Sequence, residues 1–129
     1  MKITNLQAVV YINTVTGMKE KHLPVKVLFA LNHNLNLLMN QVKPYEEARK
    51  ALFNQYEGDE DTKIRLAAAE LNELLNESVE QPIKMLKLSD LEKIDEDPQY
   101  DKISTLDFSA INFMLEDEEE KKPSESAPV

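Results

Sequence analysis

The residues best suited to hold a metal ion are the two histidines, His22 and His33. They stand eleven positions apart, one in a predicted link and the other on the polar face of a predicted helix. Ligands that share a helix face are spaced as in His-x-x-x-His or Glu-x-x-His, and neither histidine has such a neighbour. We therefore interpret both as surface histidines.

A short acidic run begins like a calcium-binding loop, with Asp59, Asp61 and Lys63 at alternate positions. Such a loop requires glycine at its sixth position and a bidentate glutamate at its twelfth. Here Ile64 takes the sixth position, and Glu70 at the twelfth belongs to a predicted helix. The chain also has no cysteine, which excludes thiolate ligands. We expect no metal and no cofactor.

The carboxylates are numerous, but no catalytic arrangement of residues is recognisable. The chain has 24 Asp and Glu residues, nearly all in charge runs of the kind that form solvated surfaces. A catalytic carboxylate needs a partly buried position that shifts its pKa, and no pattern indicates one. Gly-x-Ser-x-Gly and phosphate-binding loops are absent from the sequence, which has only two glycines. The sequence therefore predicts a protein that is not an enzyme.

The charge is distributed unevenly along the chain. Residues 1–69 carry nine Lys and Arg against seven Asp and Glu, a net charge of +2. Residues 70–129 carry six Lys against seventeen Asp and Glu, a net charge of −11. Such a density of negative charge repels nucleic acid and anionic membranes and favours basic partners. We expect no direct contact with nucleic acid or membranes.

The sequence shows no signal for export or for insertion into a membrane. It shows no signal-peptide pattern at its N-terminus and no apolar run near the ~20 residues of a membrane span. The lack of cysteine is compatible with a reducing compartment. We expect a soluble, cytoplasmic protein.

The elements that would position any site are predicted to be mainly α-helical. Because β-hairpins use glycine, two glycines disfavour a sheet-rich fold. Thr4 and Gln7 match a capping box and predict a short helix that ends near Gly17. A long helix is predicted from Pro24 to Gly58, because apolar residues recur along it at spacings of three and four. Their phase continues through position 44, so we predict one helix kinked at its internal proline.

A second helix is predicted from residue 64 to about residue 77, packed on the first as an antiparallel hairpin. Residues 83–88 are expected to be extended. Ser89 and Ser104 match N-caps of two further short helical segments, the second ending at Leu115. We predict a single helical domain at residues 1–115 and a disordered acidic tail at residues 116–129.

The long apolar stripe is the candidate partner-binding site, because little of so small a chain is left to cover it. The residues that we expect to contact a partner are Leu31, Leu35, Leu38, Val42, Arg49 and Leu52. Arg49 interrupts the stripe, either as a side chain that extends to solvent or as half of a desolvated ion pair. Phe29 and Phe53 lie beside the stripe and indicate a second apolar face, which must be buried in the domain or on another chain.

The order of these segments resembles a known group of proteins. The matching segments are YEEAR at residues 45–49, ELNELLNESVE at 70–80, KLSDL at 87–91 and FMLED at 113–117. They are similar to small helical proteins carried by phages and prophages of Gram-positive bacteria. Pro44 and the long acidic tail depart from that pattern. The resemblance implies a non-enzymatic role in the cytoplasm of a bacterial host, and it supplies no site residues.

Three functions remain open from the sequence. The first is an accessory protein that binds a protein partner through the helical stripe, the partner being a second copy, a phage protein or a host protein. The second is an acidic mimic of nucleic acid that inhibits a host defence or nucleic-acid enzyme. The third is a small structural or assembly component of a virion.

Overall fold

The computed structural model describes residues 1–116, most of which are helical. The elements in chain order are β1 (Lys2–Thr4), α1 (Asn5–Met18), α2 (Val25–Phe53), α3 (Glu60–Asn76), β2 (Ser78–Glu80), β3 (Leu86–Lys87), α4 (Leu88–Glu96), α5 (Thr105–Ile111), a 3₁₀ turn (Asn112–Met114) and β4 (Leu115–Glu116). The prediction of a mainly α fold built on one long helix is confirmed. The predicted tail beyond residue 116 lies outside the described residues.

Helix α2 is a single helix of 29 residues that continues through Pro44. It ends at Phe53, five residues before the predicted end at Gly58. Its last backbone bonds tighten to i→i+3, because the N–H groups of Gln55 and Tyr56 donate to carbonyls only three residues back. Gly58 has a φ of +118° and turns the chain into α3.

The helix caps were predicted with mixed success. The Thr4 hydroxyl accepts a hydrogen bond from the Gln7 N–H at 3.1 Å, and Ser104 accepts one from the Asp107 N–H at 3.1 Å, so both caps are confirmed. The cap predicted at Ser89 is wrong, because α4 begins one residue earlier, at Leu88. The carboxylate of Asp90 instead accepts the N–H of Lys87 at 3.0 Å, which joins β3 directly to the helix.

The core lies between α1 and α2, with α3 packed on α2 and α5 packed on α1. The predicted pairing of α2 with α3 is present, but α1 is the main neighbour of α2. The largest fully buried side chains include Tyr11 of α1 and Leu38 of α2. A second, smaller cluster joins the end of α2 to α3 through Leu52, Phe53 and Ala67.

Two small sheets connect distant parts of the chain. β1 pairs antiparallel with β2, and β3 pairs parallel with β4. The sequence predicted an extended segment only at residues 83–88, which overlaps β3. Glu116, predicted as the first residue of a disordered tail, pairs with Lys87 instead. Within residues 1–116, no helix has both the length and the apolar character that crossing a membrane demands.

Candidate protein-interaction surface

The apolar stripe predicted to bind a partner forms the core of the domain. Leu31, Leu35, Leu38 and Val42 are between 0% and 7% exposed, and all four belong to the main buried cluster. Leu52 is 8% exposed and belongs to the smaller cluster. These five side chains cannot touch a partner while the domain is folded, because α1, α3 and the segments that follow α3 cover them.

Arg49 is the one predicted contact residue that reaches the surface. Its guanidinium lies 4.4 Å from the ring centroid of Phe53, and Nη2 lies 3.7 Å from Oε1 of Glu60. The Glu60 side chain is 73% exposed, so this ion pair is solvated, and of the two alternatives for Arg49 the structure favours a side chain that extends to solvent. Arg49 acts as a half-exposed cover on the smaller cluster.

Two buried polar residues of α2 were missed at the sequence level. The Asn34 amide donates to the Lys84 carbonyl at 3.0 Å and accepts from the Lys84 N–H at 2.7 Å. The Gln41 amide donates to the Ile3 carbonyl at 2.9 Å and accepts from Gln81 at 2.9 Å. Each side chain therefore fixes an extended segment against α2.

A signal for these two residues was present. Asn34 and Gln41 are seven positions apart, and each follows a stripe leucine by three. That spacing places them on the inner face of the helix rather than on its polar face.

The two residues of the second apolar face predicted beside the stripe differ in burial. Phe53 is buried, whereas Phe29 is 61% exposed and Val25, one turn earlier, is 82% exposed. The Phe29 ring stacks on His33 with centroids 6.2 Å apart and planes inclined by 23°. Met39, further along α2, is 47% exposed. The outer face of α2 thus presents large apolar side chains to solvent.

A groove runs between this outer face and the segment that leads into α4. We call it the basic groove; it encloses about 660 Å³ and is lined by Val25, Lys26, Phe29, Lys84, Met85, Leu86, Lys87, Asp90 and Glu116. Its apolar floor comes from both α2 and the chain around β3. Three lysines line it, and α2 has no acidic residue before position 46.

The carboxylate of Asp90 is buried and already has partners within the protein. It is 6% exposed, lies 3.5 Å from Nζ of Lys26, and accepts the Lys87 N–H. Lys84 and Lys87 are exposed, and the Lys84 backbone is held by Asn34. The basic groove therefore combines four apolar side chains with three lysines and two carboxylates, and Lys84 and Lys87 are its exposed lysines besides Lys26, which pairs with Asp90.

A second concave surface lies on the other side of the start of α4. We call it the acidic hollow; it encloses about 140 Å³ and is lined by Leu88, Leu91, Glu92, Ile94, Asp95, Ile103 and Phe108. Leu88 is 44% exposed and Phe108 is 38% exposed. Glu92 and Asp95 are exposed one turn apart on α4. The hollow thus combines an apolar surface with negative charge.

A metal site is not assembled in the described part of the chain. Residues 1–116 hold no group of three or more His, Asp or Glu side chains placed to bind a metal ion. The His22 ring lies against Tyr100 with centroids 5.2 Å apart, and its Nδ1 is 2.7 Å from the Gln99 carbonyl oxygen. These contacts join the link between α1 and α2 to the loop that follows α4.

Comparison with known proteins gives no relative: no family model, no curated protein and no solved structure matches this chain.

Proposed function

We propose that this chain is a non-enzymatic accessory protein that binds a protein partner through the basic groove. The observation that carries the proposal is Phe29, a large aromatic side chain that is 61% exposed on the rim of a preformed groove. A proposed setting is a phage or prophage in a bacterial cytoplasm, which rests on the resemblance described above.

The groove has the chemical composition of a protein-binding site. Val25 and Phe29 expose apolar surface, and covering a side chain of this size gains about 1.5 to 3 kcal/mol. Aromatic residues near the centre of an interface commonly contribute most of its binding energy. The lysines beside them would select a partner that carries acidic residues around its apolar contact.

Photo-crosslinking at position 29 tests the proposal. A photoreactive phenylalanine analogue replaces Phe29 in the full chain produced in its native host, and a matched variant carries it at Glu57, which is exposed outside the groove. We expect a discrete crosslinked protein band at position 29 and none at position 57. The absence of a band specific to position 29 would contradict the proposal.

A second candidate function is supported by the acidic hollow. Exposed Glu92 and Asp95 could imitate phosphates and occupy the basic site of a nucleic-acid enzyme. The hollow is small, and Leu88 and Phe108 form part of its lining, so its surface is more apolar than a phosphate mimic requires. An inhibitor of this kind would lose affinity steeply with salt, whereas binding centred on Phe29 would change less. A role in virion assembly would use the same apolar groove as the first function.

A further inference from the structure

We propose that the basic groove binds the exposed side chains that surround the acidic hollow of a second copy of this chain. The inference rests on the proposed function and names its partner. The two surfaces have no lining residue in common. Each chain can therefore offer both surfaces at the same time.

The charges of the two surfaces are complementary. The groove presents exposed Lys84 and Lys87 beside two carboxylates, Glu116 and the Asp90 that pairs with Lys26. The hollow presents Glu92 and Asp95. These two lysines and the two carboxylates of the hollow are exposed, so none has to leave a buried position before it can pair across an interface. Opposed patches of this kind fix the register of a contact and speed its formation.

The apolar parts of the two surfaces are complementary as well. Val25 and Phe29 of the groove would be covered by Leu88 and Phe108 of the hollow, which are themselves 44% and 38% exposed. One contact would thus remove exposed apolar surface from both chains. Apolar burial is the general driving force of stable association.

The rival occupant is the chain's own acidic segment at residues 117–129, which follows Glu116 at the groove. That segment supplies carboxylates for the lysines, but it contains no aromatic residue and its apolar residues are only Pro123, Ala127, Pro128 and Val129. It offers nothing comparable to Phe108 for covering Phe29. The second copy therefore matches the groove in both charge and apolar surface.

The symmetry of the assembly follows from having two different surfaces on one chain. If the contact is made twice about a two-fold axis, the product is a closed dimer; if it is made head to tail, the product grows with concentration. In both cases a chain with a disabled groove can still donate its hollow. A chain with a disabled hollow can still accept one.

Sedimentation velocity of the full-length chain tests the inference. We expect wild-type protein to self-associate between about 10 and 500 µM in low salt. We expect K84E/K87E and E92K/D95K each to weaken association at least about a hundredfold, because like charges then face one another. A control, K43E/R65E, makes the same charge change as K84E/K87E at exposed positions outside both surfaces and should associate as wild type.

Mixing the two disabled chains is the decisive step. K84E/K87E retains an intact hollow and E92K/D95K retains an intact groove, so their mixture should form a one-to-one complex although each alone is monomeric. Circular dichroism of each variant confirms that it is folded. A mixture that stays monomeric, or wild-type protein that is monomeric at 500 µM, would overturn the inference.

Two further outcomes separate this inference from the other possibilities. If D117N/E118Q/E119Q/E120Q self-associates while wild type does not, the chain's own segment occupies the groove and the inference fails. If wild type is monomeric but position 29 crosslinks to a different protein, the proposed function stands and the second copy is the wrong partner.

Discussion

The inner and outer faces of α2 carry the same kinds of side chain in opposite environments. On the inner face Leu31 and Leu38 are at most 2% exposed, whereas on the outer face Val25 and Phe29 are 82% and 61% exposed. Both pairs follow helical spacing, so the sequence pattern does not distinguish them. The difference lies in their neighbours, because α1 and the C-terminal segments cover one face only. We infer that the inner face stabilises the fold, and the exposed outer face is the surface that we propose for binding.

The largest effect that would test this comparison is a cavity in the inner face. Leu38→Ala should lower the free energy of unfolding by about 3 kcal/mol, because Leu38 is fully buried and its removal leaves a void. Phe29→Ala on the outer face should change it by no more than about 0.5 kcal/mol. Urea unfolding followed by circular dichroism measures both. Equal losses from the two substitutions would remove the distinction between the faces.

A smaller effect is expected from the buried amide that holds one wall of the groove. Asn34→Ala should cost about 2 kcal/mol, because it leaves the N–H and carbonyl of Lys84 without their protein partner. It should also speed hydrogen exchange at the Lys84 amide. Asn36→Ala on the exposed side of the same helix is the matched control and should change neither quantity. An unchanged Lys84 exchange rate in Asn34→Ala would show that the hydrogen bonds between Asn34 and Lys84 do not support the groove.

The inner face should also make stability depend on alkaline pH. Burial raises the pKa of Tyr11 well above its ordinary value, partly offset by a hydrogen bond with Asn34. Its hydroxyl donates to the Leu31 carbonyl at 2.8 Å. Above about pH 10 the unfolded chain releases this proton and the folded chain keeps it, so the stability due to Tyr11 falls as pH rises.

The expected loss from Tyr11 approaches about 1.4 kcal/mol per pH unit between pH 10 and the folded pKa. Tyr11→Phe should remove this component, and urea unfolding at pH 8 and pH 11 measures it in both proteins. Tyr100→Phe, which changes a half-exposed ring, is the comparison variant. The same pH dependence in wild type and Tyr11→Phe would contradict the burial of this hydroxyl.

The smallest change in stability is expected at Arg49, which covers the smaller cluster at the end of α2. Arg49→Ala should cost roughly 0.5 to 1 kcal/mol through lost contact with the Phe53 ring and a weak pairing with Glu60. The neighbouring Lys50→Ala should cost less, and urea unfolding can compare the two. A loss from Arg49→Ala as large as that from Leu38→Ala would place this residue in the core rather than over it.

Local features of this fold could be predicted from the sequence, and distant pairings could not. The caps at Thr4 and Ser104 depend on residues three positions apart, so their patterns were sufficient. The continuation of α2 through Pro44 was likewise predicted from the phase of its apolar residues, although its end at Phe53 was not. Apart from β3, the described strands escaped prediction because they have only two or three residues and pair with segments far along the chain, as Ile3 does with Val79.

The burial of the predicted contact residues could not be predicted for the same reason. The sequence shows which residues of α2 are apolar, but it does not show that Tyr11, Leu86 and Met114 converge on the stripe. Without those neighbours the stripe looked uncovered, and Phe29 looked like a secondary feature. Burial is set by contacts across the whole chain, and periodicity along one helix reports only which face is apolar.

Thiol labelling tests the central distinction most directly, because the chain has no cysteine of its own. Phe29→Cys and Leu35→Cys place one thiol on each face of α2, and the rate of maleimide labelling in native buffer reports their exposure. We predict that the Phe29→Cys thiol at low micromolar concentration reacts almost as fast as in urea. The Leu35→Cys thiol should react at least about a thousandfold more slowly than in urea, because only opened molecules expose it. Comparable native rates at the two positions would contradict the division of α2 into a core face and a binding face.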